Sequence, residues 1–146
     1  MDRTLNLFGL SRKAGSLELG EEASGVAVRS GKAKVLMLAN DASENARRRA
    51  EGFVNGTNIP LIKLPYAKVD ISWVSGKRGC SMAAITDIGL ANTILSSLAA
   101  ASPGEYGETA ELIKAREEKA RQRKKESLAH DRNKKFGKKR ASVETK

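Results

Sequence analysis

The residues of this chain that could do chemistry are mainly cations, and most of them lie near its C-terminus. Eleven Lys and Arg side chains fall between residues 119 and 140, where only Glu126 and Asp131 oppose them. They are Lys119, Arg121, Arg123, Lys124, Lys125, Arg132, Lys134, Lys135, Lys138, Lys139 and Arg140. A cationic arm of this density is typical of proteins that bind the phosphates of RNA or DNA. Its candidate phosphate ligands are Lys124, Lys125, Lys138, Lys139 and Arg140.

A smaller set of cations in the first hundred residues could contact the same kind of partner. Lys77 and Arg78 stand between two glycines, and cations in so tight a loop can approach a nucleic-acid backbone closely. Four more cations flank a predicted second helix: Arg12, Lys13, Lys32 and Lys34. For each of them, a solvated surface position is the first interpretation and contact with RNA is the second. The arginines at 47–49 belong to a predicted third helix, with a solvated face as the first interpretation and phosphate contact as the second.

The start of the predicted second helix is a further candidate site. Gly20 opens this helix, and bare backbone amides at a helix start can bind phosphate. A plain turn between a strand and a helix is the alternative. Glu21 and Glu22 follow and could contact bases, although acidic residues in a first helical turn ordinarily stabilise the helix dipole.

The sequence contains no recognisable set of catalytic residues. His130 is the only histidine and lies in the tail, far along the chain from Cys80, the only cysteine, so a metal site lacks its ligands. Asp41 and Asp87 each follow a predicted strand, as turn or capping residues do. We find no phosphate-binding loop, dinucleotide fingerprint or nucleophile elbow. The sequence therefore predicts no enzyme, no catalytic residue, no metal and no cofactor.

The composition of the chain restricts the cellular compartment in which we expect the protein. The chain has 146 residues and a formal charge of +10, of which +6 lies from residue 101 onward and +4 in the preceding part. A single cysteine allows no intrachain disulfide, which fits a reducing compartment. No charged-then-apolar leader and no apolar stretch of membrane-spanning length are visible. We therefore expect a cytoplasmic protein without a membrane partner.

Short apolar runs alternate with amphipathic helical patterns up to residue 101. The continuous apolar runs at 35–39 and 82–86 predict strands that are buried on both faces, and shorter strands are predicted at 16–19 and 61–64. Single helices between strands favour a three-layer α/β/α sandwich with a small mixed sheet, plus a basic C-terminal extension. In the second helix, we expect an inward face made by Ala23, Val26, Ala27 and Ser30.

The C-terminal extension differs in composition from the preceding domain. We place the domain at residues 1–101 and the basic tail at 102–146, partly helical or disordered. Leu112 and Ile113 are almost the only apolar residues in the tail before Leu128, so a tail helix is expected to have no face to bury. Disorder is expected beyond His130.

Four segments carry a family resemblance: SRKAGSLELGEE at 11–22, RSGKAKVLMLAND at 29–41, GKRG at 76–79 and AAITD at 83–87. In this order and spacing they resemble the ribosomal protein L-seven-Ae and L-thirty-e superfamily, and within it the bacterial YlxQ-type branch. The match covers residues 3–99. The resemblance implies an α/β/α sandwich that binds structured RNA, often a kink-turn, without catalysis. The basic tail is not part of the common pattern.

Kink-turn binders in this superfamily carry an Asn, a Glu and a Lys at the start of the second helix, where these groups read guanine edges. On this chain the three positions fall on Glu22, Ala23 and Val26. The apolar loop that packs under a flipped nucleotide becomes the Lys77 and Arg78 loop. The resemblance thus implies general RNA binding more than kink-turn specificity.

Three functions remain open on the sequence. The first is a non-catalytic protein that binds ribosomal or other structured RNA, with the ribosome or translation factors as further partners. The second is a protein-interaction adaptor near the transcription and translation machinery, whose tail localises it to RNA. The third is a recognition domain that assists an RNA-modifying enzyme on another chain. Exposed apolar area on the domain would favour the second function.

Overall fold

The computed structural model describes residues 2–76 and 79–144, without the side chains of residue 75 and of residues 133–144. Its helices are α1 (Arg3–Lys13), α2 (Glu21–Arg29), α3 (Glu44–Val54), α4 (Lys68–Ser75), α5 (Ile88–Ala101) and α6 (Pro103–Glu144). Its strands are β1 (Leu17–Leu19), β2 (Val35–Leu38), β3 (Leu61–Lys63) and β4 (Met82–Ile85).

The four strands form one mixed sheet in the order β1-β4-β2-β3. Strand β2 pairs with β3 in parallel, whereas β4 runs antiparallel to both β1 and β2. Every residue of the two central strands is buried, which is why both appear in the sequence as continuous apolar runs. The predicted small mixed sheet is therefore confirmed.

A hydrophobic core lies on each face of the sheet. One core joins α1, α4, α5 and α6 through residues such as Phe8, Ile71 and Leu95. The other joins α2 and α3 through residues such as Ala27 and Ala50. Helices thus cover both faces, and the predicted three-layer α/β/α class is confirmed.

The polar residues at element boundaries act as caps. Ser43 accepts a hydrogen bond from the amide of Ala46 at the start of α3, and Asp87 accepts one from the amide of Leu90 at the start of α5. Asp41 instead accepts a hydrogen bond from the amide of Lys68 at 2.8 Å, which ties the loop following β2 to the start of α4. These contacts give the two aspartates local structural roles.

The buried face of α2 differs from the predicted one. Ser24, Ala27 and Val28 are buried, whereas the side chain of Val26 is 53% exposed. Ser30 is exposed as well, so the prediction that Val26 and Ser30 face inward is wrong. Helix α2 has nine residues, most of them with small side chains, so its apolar and polar faces differ little. Periodicity alone therefore does not determine which residues of this helix face the core.

Helix α6 packs against the domain, and the prediction that a tail helix has no face to bury is wrong. Tyr106 is 2% exposed and Ile113 is fully buried, both within the core that contains α5. Ala110 packs partly between them, and Glu117 is only 7% exposed. The helical backbone continues to Glu144, past the point where we predict disorder, in a segment rich in good helix formers. The division of the chain at residue 101 stays a prediction.

Candidate nucleic-acid interface

The start of α2 lies beside the start of β4, at one end of the sheet. The amide of Gly20 donates a hydrogen bond to the carbonyl oxygen of Met82 at 2.9 Å, so the helix begins beside the first residue of β4. The glycine-flanked loop leads directly into that strand. Lys77 and Arg78 lie outside the described residues, and their contact with phosphate stays a prediction.

Gly20 has the backbone geometry of an open helix start. Its φ angle of 96° lies in a region that residues other than glycine rarely adopt. It is the N-cap of α2, and among the described residues no side-chain capping hydrogen bond reaches the first amides of the helix. These amides are therefore available to an anion, which the partial positive charge of the helix end also favours.

The two carboxylates that follow Gly20 differ in their surroundings. Oε2 of Glu21 accepts a hydrogen bond from Nη1 of Arg49 on α3 at 2.6 Å, so this ion pair links α2 to α3. Glu22 is exposed and forms no ion pair with any described residue. Both border a shallow pocket of about 390 Å³, where the guanidinium of Arg29 lies 5.9 Å from the ring centroid of Phe53. Glu21 therefore links α2 to α3, whereas Glu22 faces solvent, and contact of either carboxylate with RNA bases stays a prediction.

The other two arginines of the 47–49 run are also paired with acids. Arg47 contacts Glu44 and also donates to Glu51 at 3.0 Å, and Arg48 lies 3.7 Å from Glu44. All of these side chains are more than half exposed, so the ion pairs add little stability. They nevertheless reduce the positive charge that α3 offers to a phosphate, which agrees with a solvated face as its first interpretation.

The remaining predicted cations of the domain lie at the end of α1 and close to β4. Nη1 of Arg12 lies 2.8 Å from the position that a Cβ would take on Gly76, the residue that follows α4. Lys13 is exposed at the end of α1. Lys34 lies at the end of the sheet opposite to Gly20, where its amide donates a hydrogen bond to the carbonyl oxygen of Ile85 at 2.7 Å. The exposed Lys32 is two residues away in the sequence.

The structure describes the side chains of only some of the predicted tail ligands. Lys124 and Lys125 are exposed on α6. The side chains of Lys138, Lys139 and Arg140 lie outside the described residues, although their backbone belongs to α6. The structure therefore places Gly20, Glu21 and Glu22 at the Met82 end of the sheet, and Lys34 with the neighbouring Lys32 at the Ile85 end.

Two exposed apolar residues on α4 were missed by sequence reasoning. The side chains of Val69 and Trp73 are 71% and 79% exposed, and with Lys68 they border a shallow pocket of about 650 Å³. Ile71, which lies between them in the sequence, is buried. Residues two positions apart lie on opposite sides of a helix, so Val69 and Trp73 both face solvent. An exposed indole can stack on an unpaired base or bind an apolar group of a partner protein.

Two further findings concern other kinds of site. Within residues 2–76 and 79–144, no group of three or more His, Cys, Asp or Glu side chains could hold a metal ion. No helix in the described part of the chain combines the length and apolarity needed to cross a bilayer.

Sequence comparison gives relatives of similar length to the α/β/α domain. The chain is 32% identical over 96 residues to the RNA-binding protein YlxQ of Bacillus subtilis, which covers 63% of this chain and 91% of the relative. It is 35% identical over 75 residues to the protein of the same name from Enterococcus faecium, covering 51% and 72%. The large ribosomal subunit protein eL30 of Aeropyrum pernix is 32% identical over 78 residues, covering 53% and 78%. No family model matches the chain.

Solved structures show the same fold at lower identity. A protein of unknown function from Bacillus halodurans C superimposes with a TM-score of 0.61 and 22% identity, covering 66% of this chain and 97% of that one. The 15.5kD RNA binding protein of Giardia lamblia gives a TM-score of 0.52 and 18% identity, covering 64% and 79%.

The fold and the relatives together define an α/β/α domain of the ribosomal L-seven-Ae and L-thirty-e class, with a helical C-terminal extension. The resemblance predicted from the sequence is confirmed. Within this class, the chain belongs to the family of the bacterial YlxQ proteins.

Proposed function

We propose that this chain is a non-catalytic RNA-binding protein of the cytoplasm that contacts structured RNA. Two of its relatives carry the name RNA-binding protein YlxQ, and a third is a protein of the large ribosomal subunit. Ribosomal RNA is accordingly the first candidate ligand, with other structured RNAs as the second. The ribosome and translation factors are the further partners that we propose.

The observation that carries this proposal is the unpaired positive charge on α6. Of the described cations between residues 119 and 132, Arg121 forms an ion pair, with Glu117 at 2.6 Å. The other five form none with the described residues, and they are Lys119, Arg123, Lys124, Lys125 and Arg132. A phosphate can contact such side chains without breaking an existing ion pair, unlike those of the 47–49 run.

The two regions are expected to contribute differently to binding. Unpaired cations on α6 neutralise phosphates whatever the base sequence, so they supply affinity. The start of α2, together with Lys77 and Arg78, is proposed to supply selectivity for RNA shape.

A second candidate function is the protein-interaction adaptor, and one observation favours it. Val69 and Trp73 give α4 an exposed apolar surface, which can bind an apolar surface of another protein. In that case α6 would only hold the adaptor near RNA, and changes at Trp73 would leave RNA affinity unaltered.

The salt dependence of RNA affinity tests the first function against the second. Deletion of residues 119–146 keeps Tyr106, Ile113 and Glu117 and removes most of the unpaired cations. We expect this deletion to flatten the slope of log affinity against log salt by several units, and to weaken all RNAs about equally. Replacing Lys77 and Arg78 with Ala should change the slope by at most about two units but alter the ranking of structured RNAs. An unchanged slope in the deletion variant would favour the adaptor.

A further inference from the structure

A cleft of about 530 Å³ separates α6 from the domain at the sheet end opposite to Gly20. Its charged lining residues, within the described part of the chain, are all cations: Lys34, Arg116, Lys119 and Arg123. Apolar side chains form much of the rest of its wall, and they include Val28, Ala33, Ile59 and Ile88. The cleft thus combines concentrated positive charge with an apolar floor.

Three of these cations form a row on one face of α6. Arg116, Lys119 and Arg123 are spaced by three and four residues, which places them on the same side of a helix. At about 1.5 Å per residue, the row extends over roughly 10 Å. A row of this length fits consecutive phosphates of a chain better than it fits one isolated phosphate group.

Contacts on the preceding turns of α6 hold this row over the domain. The hydroxyl of Tyr106 donates a hydrogen bond to the carbonyl oxygen of Lys63 at 2.6 Å, and Ile113 is fully buried. Glu117, next to Arg116, is 7% exposed. The cations that follow are therefore attached to a fixed segment of the helix, opposite Lys34 on the domain side.

Local electrostatics favours an anion in the cleft. None of its four cations forms an ion pair within the described part of the chain, so their charges are not already compensated. The C-terminal end of α2 opposes them, since Gly31 directly follows that end and lines the cleft. A helix end carries only about half an elementary negative charge, which four full positive charges outweigh.

This cleft is separate from the Gly20 end. Lys34 is hydrogen-bonded through its backbone to Ile85, whereas Gly20 is hydrogen-bonded to Met82. These two residues are the last and first of β4 and so lie roughly 10 Å apart along the strand. A single structured RNA is large enough to contact both ends of the sheet.

We propose that the cleft between α6 and the domain is a second RNA-binding surface that takes consecutive phosphate groups of an RNA backbone. This proposal rests on the RNA-binding function proposed above. The cations neutralise the phosphates, the apolar floor lies against ribose carbons, and the side-chain amide of Asn58 adds a donor. A free polyphosphate has the same phosphate chemistry, so the experiment must separate these two sources.

Two full-length variants with equal charge change test the cleft. The cleft variant replaces its four cations by Gln: Lys34→Gln, Arg116→Gln, Lys119→Gln and Arg123→Gln. The matched variant replaces four exposed cations that do not line the cleft and lie outside residues 119–146: Arg3→Gln, Arg48→Gln, Lys63→Gln and Lys114→Gln. Gln is close to Lys and Arg in helix propensity, and circular dichroism verifies that both variants keep their helix content.

Affinity for one structured RNA is measured across a salt series, and pyrophosphate binding is measured by calorimetry. We expect the cleft variant to flatten the salt slope by about three units and the matched variant by about one unit or less. We expect pyrophosphate to bind the wild-type chain more weakly than about 1 mM.

Three results would overturn the proposal, and they are distinguishable. Equal slopes in the two variants would mean that the cations act only as a diffuse field, while RNA binding itself stands. Micromolar pyrophosphate binding that the cleft variant loses, with equal RNA slopes, would identify a free polyphosphate as the occupant. Absence of RNA binding by the wild-type chain would overturn the RNA-binding function, and the cleft as an RNA site with it.

Discussion

The hydroxyl of Tyr106 donates a hydrogen bond of 2.6 Å to the carbonyl oxygen of Lys63, across 43 residues of sequence. This contact joins the first turns of α6 to β3, the strand at one edge of the sheet. Because Tyr106 is 2% exposed, the bond forms in a largely dry environment, where an unpaired partner is costly. The first turns of the basic extension therefore pack against the α/β/α sandwich.

The stability of the domain should depend on the protonation of Tyr106 at alkaline pH. Burial, with a smaller contribution from the negative charge of Glu105, raises the pKa of Tyr106 from 10 to about 12. Between these values the unfolded chain releases the phenolic proton while the folded chain keeps it, so the folded state loses stability as pH rises. The full contribution is present below pH 10.

A Tyr106→Phe variant isolates this contribution from the titration of other groups. Urea unfolding at several pH values between about 8 and 11.5 gives the difference in unfolding free energy between the two proteins. We expect the wild-type chain to be more stable by about 1 kcal/mol at pH 8, through the hydrogen bond. The difference should shrink and then reverse above pH 10; a difference that stays constant would contradict the pKa shift.

Truncation should distinguish the packed part of α6 from its exposed part. Ending the chain at residue 101 removes the buried side chains of Tyr106 and Ile113, each worth roughly 1.5–3 kcal/mol. We expect a loss on the order of 3–6 kcal/mol in unfolding free energy. Ending the chain at residue 126 keeps both, so its unfolding midpoint should stay near that of the full chain. Similar midpoints for all three proteins would mean that α6 does not stabilise the domain.

Sequence patterns predict those elements whose apolar signal is local. The strands β2 and β4 are continuous apolar runs, so burial on both faces can be read directly from them. The packing of α6 cannot be read in this way, because Tyr106 and the Leu112–Ile113 pair are separated by several polar or small residues and show no continuous apolar stripe. Their partners lie on elements that are distant in sequence, and only the tertiary structure brings these surfaces together.

The candidate site shows the same limit. Gly20 is recognisable as a helix start from the sequence, but its position beside Met82 depends on the pairing of β1 with β4 across more than sixty residues. The separation of Lys34 from Gly20 follows from the same sheet, since Lys34 adjoins Ile85 at the other end of β4. Residue types therefore identify candidate ligands, whereas sheet topology decides which of them act together.

Kink-turn selectivity should be weak in this chain and recoverable by substitution. Glu22 and Val26 stand exposed at positions where kink-turn binders of the superfamily carry Asn and Lys, and Ala23 replaces Glu. We expect the wild-type chain to bind a kink-turn little better than a duplex of equal length. The variant Glu22→Asn, Ala23→Glu, Val26→Lys should gain at least about tenfold preference, since one base-edge contact is worth roughly 1–3 kcal/mol.

Leu10→Lys is the control for this gain, because it adds the same net charge at a side chain that is 55% exposed on α1. It should raise affinity for both RNAs without changing their ratio. Titrations of both RNAs at one fixed salt concentration supply the measurement. A wild-type preference of about a hundredfold for the kink-turn would show that other residues read it.

Trp73 should report directly on RNA binding, because it is the only tryptophan of the chain and its side chain is 79% exposed. If it stacks on an unpaired base, RNA with a single-stranded bulge should quench its fluorescence, whereas a blunt duplex should not. Trp73→Ala should weaken binding of the bulged RNA by 1–3 kcal/mol, or roughly 5- to 150-fold. Trp73→Phe should keep part of this affinity, since a smaller aromatic ring still stacks.

Leu128→Ala serves as the control, because it also truncates an exposed apolar side chain, on α6, away from α4. Both alanine variants should unfold within about 0.5 kcal/mol of the wild-type chain, since neither side chain is buried. A loss of affinity that is confined to Trp73→Ala and to RNA with unpaired bases would establish stacking. Unchanged fluorescence and unchanged RNA affinity in Trp73→Ala would leave the exposed face of α4 to a protein partner, and the adaptor function would then explain Val69 and Trp73 better.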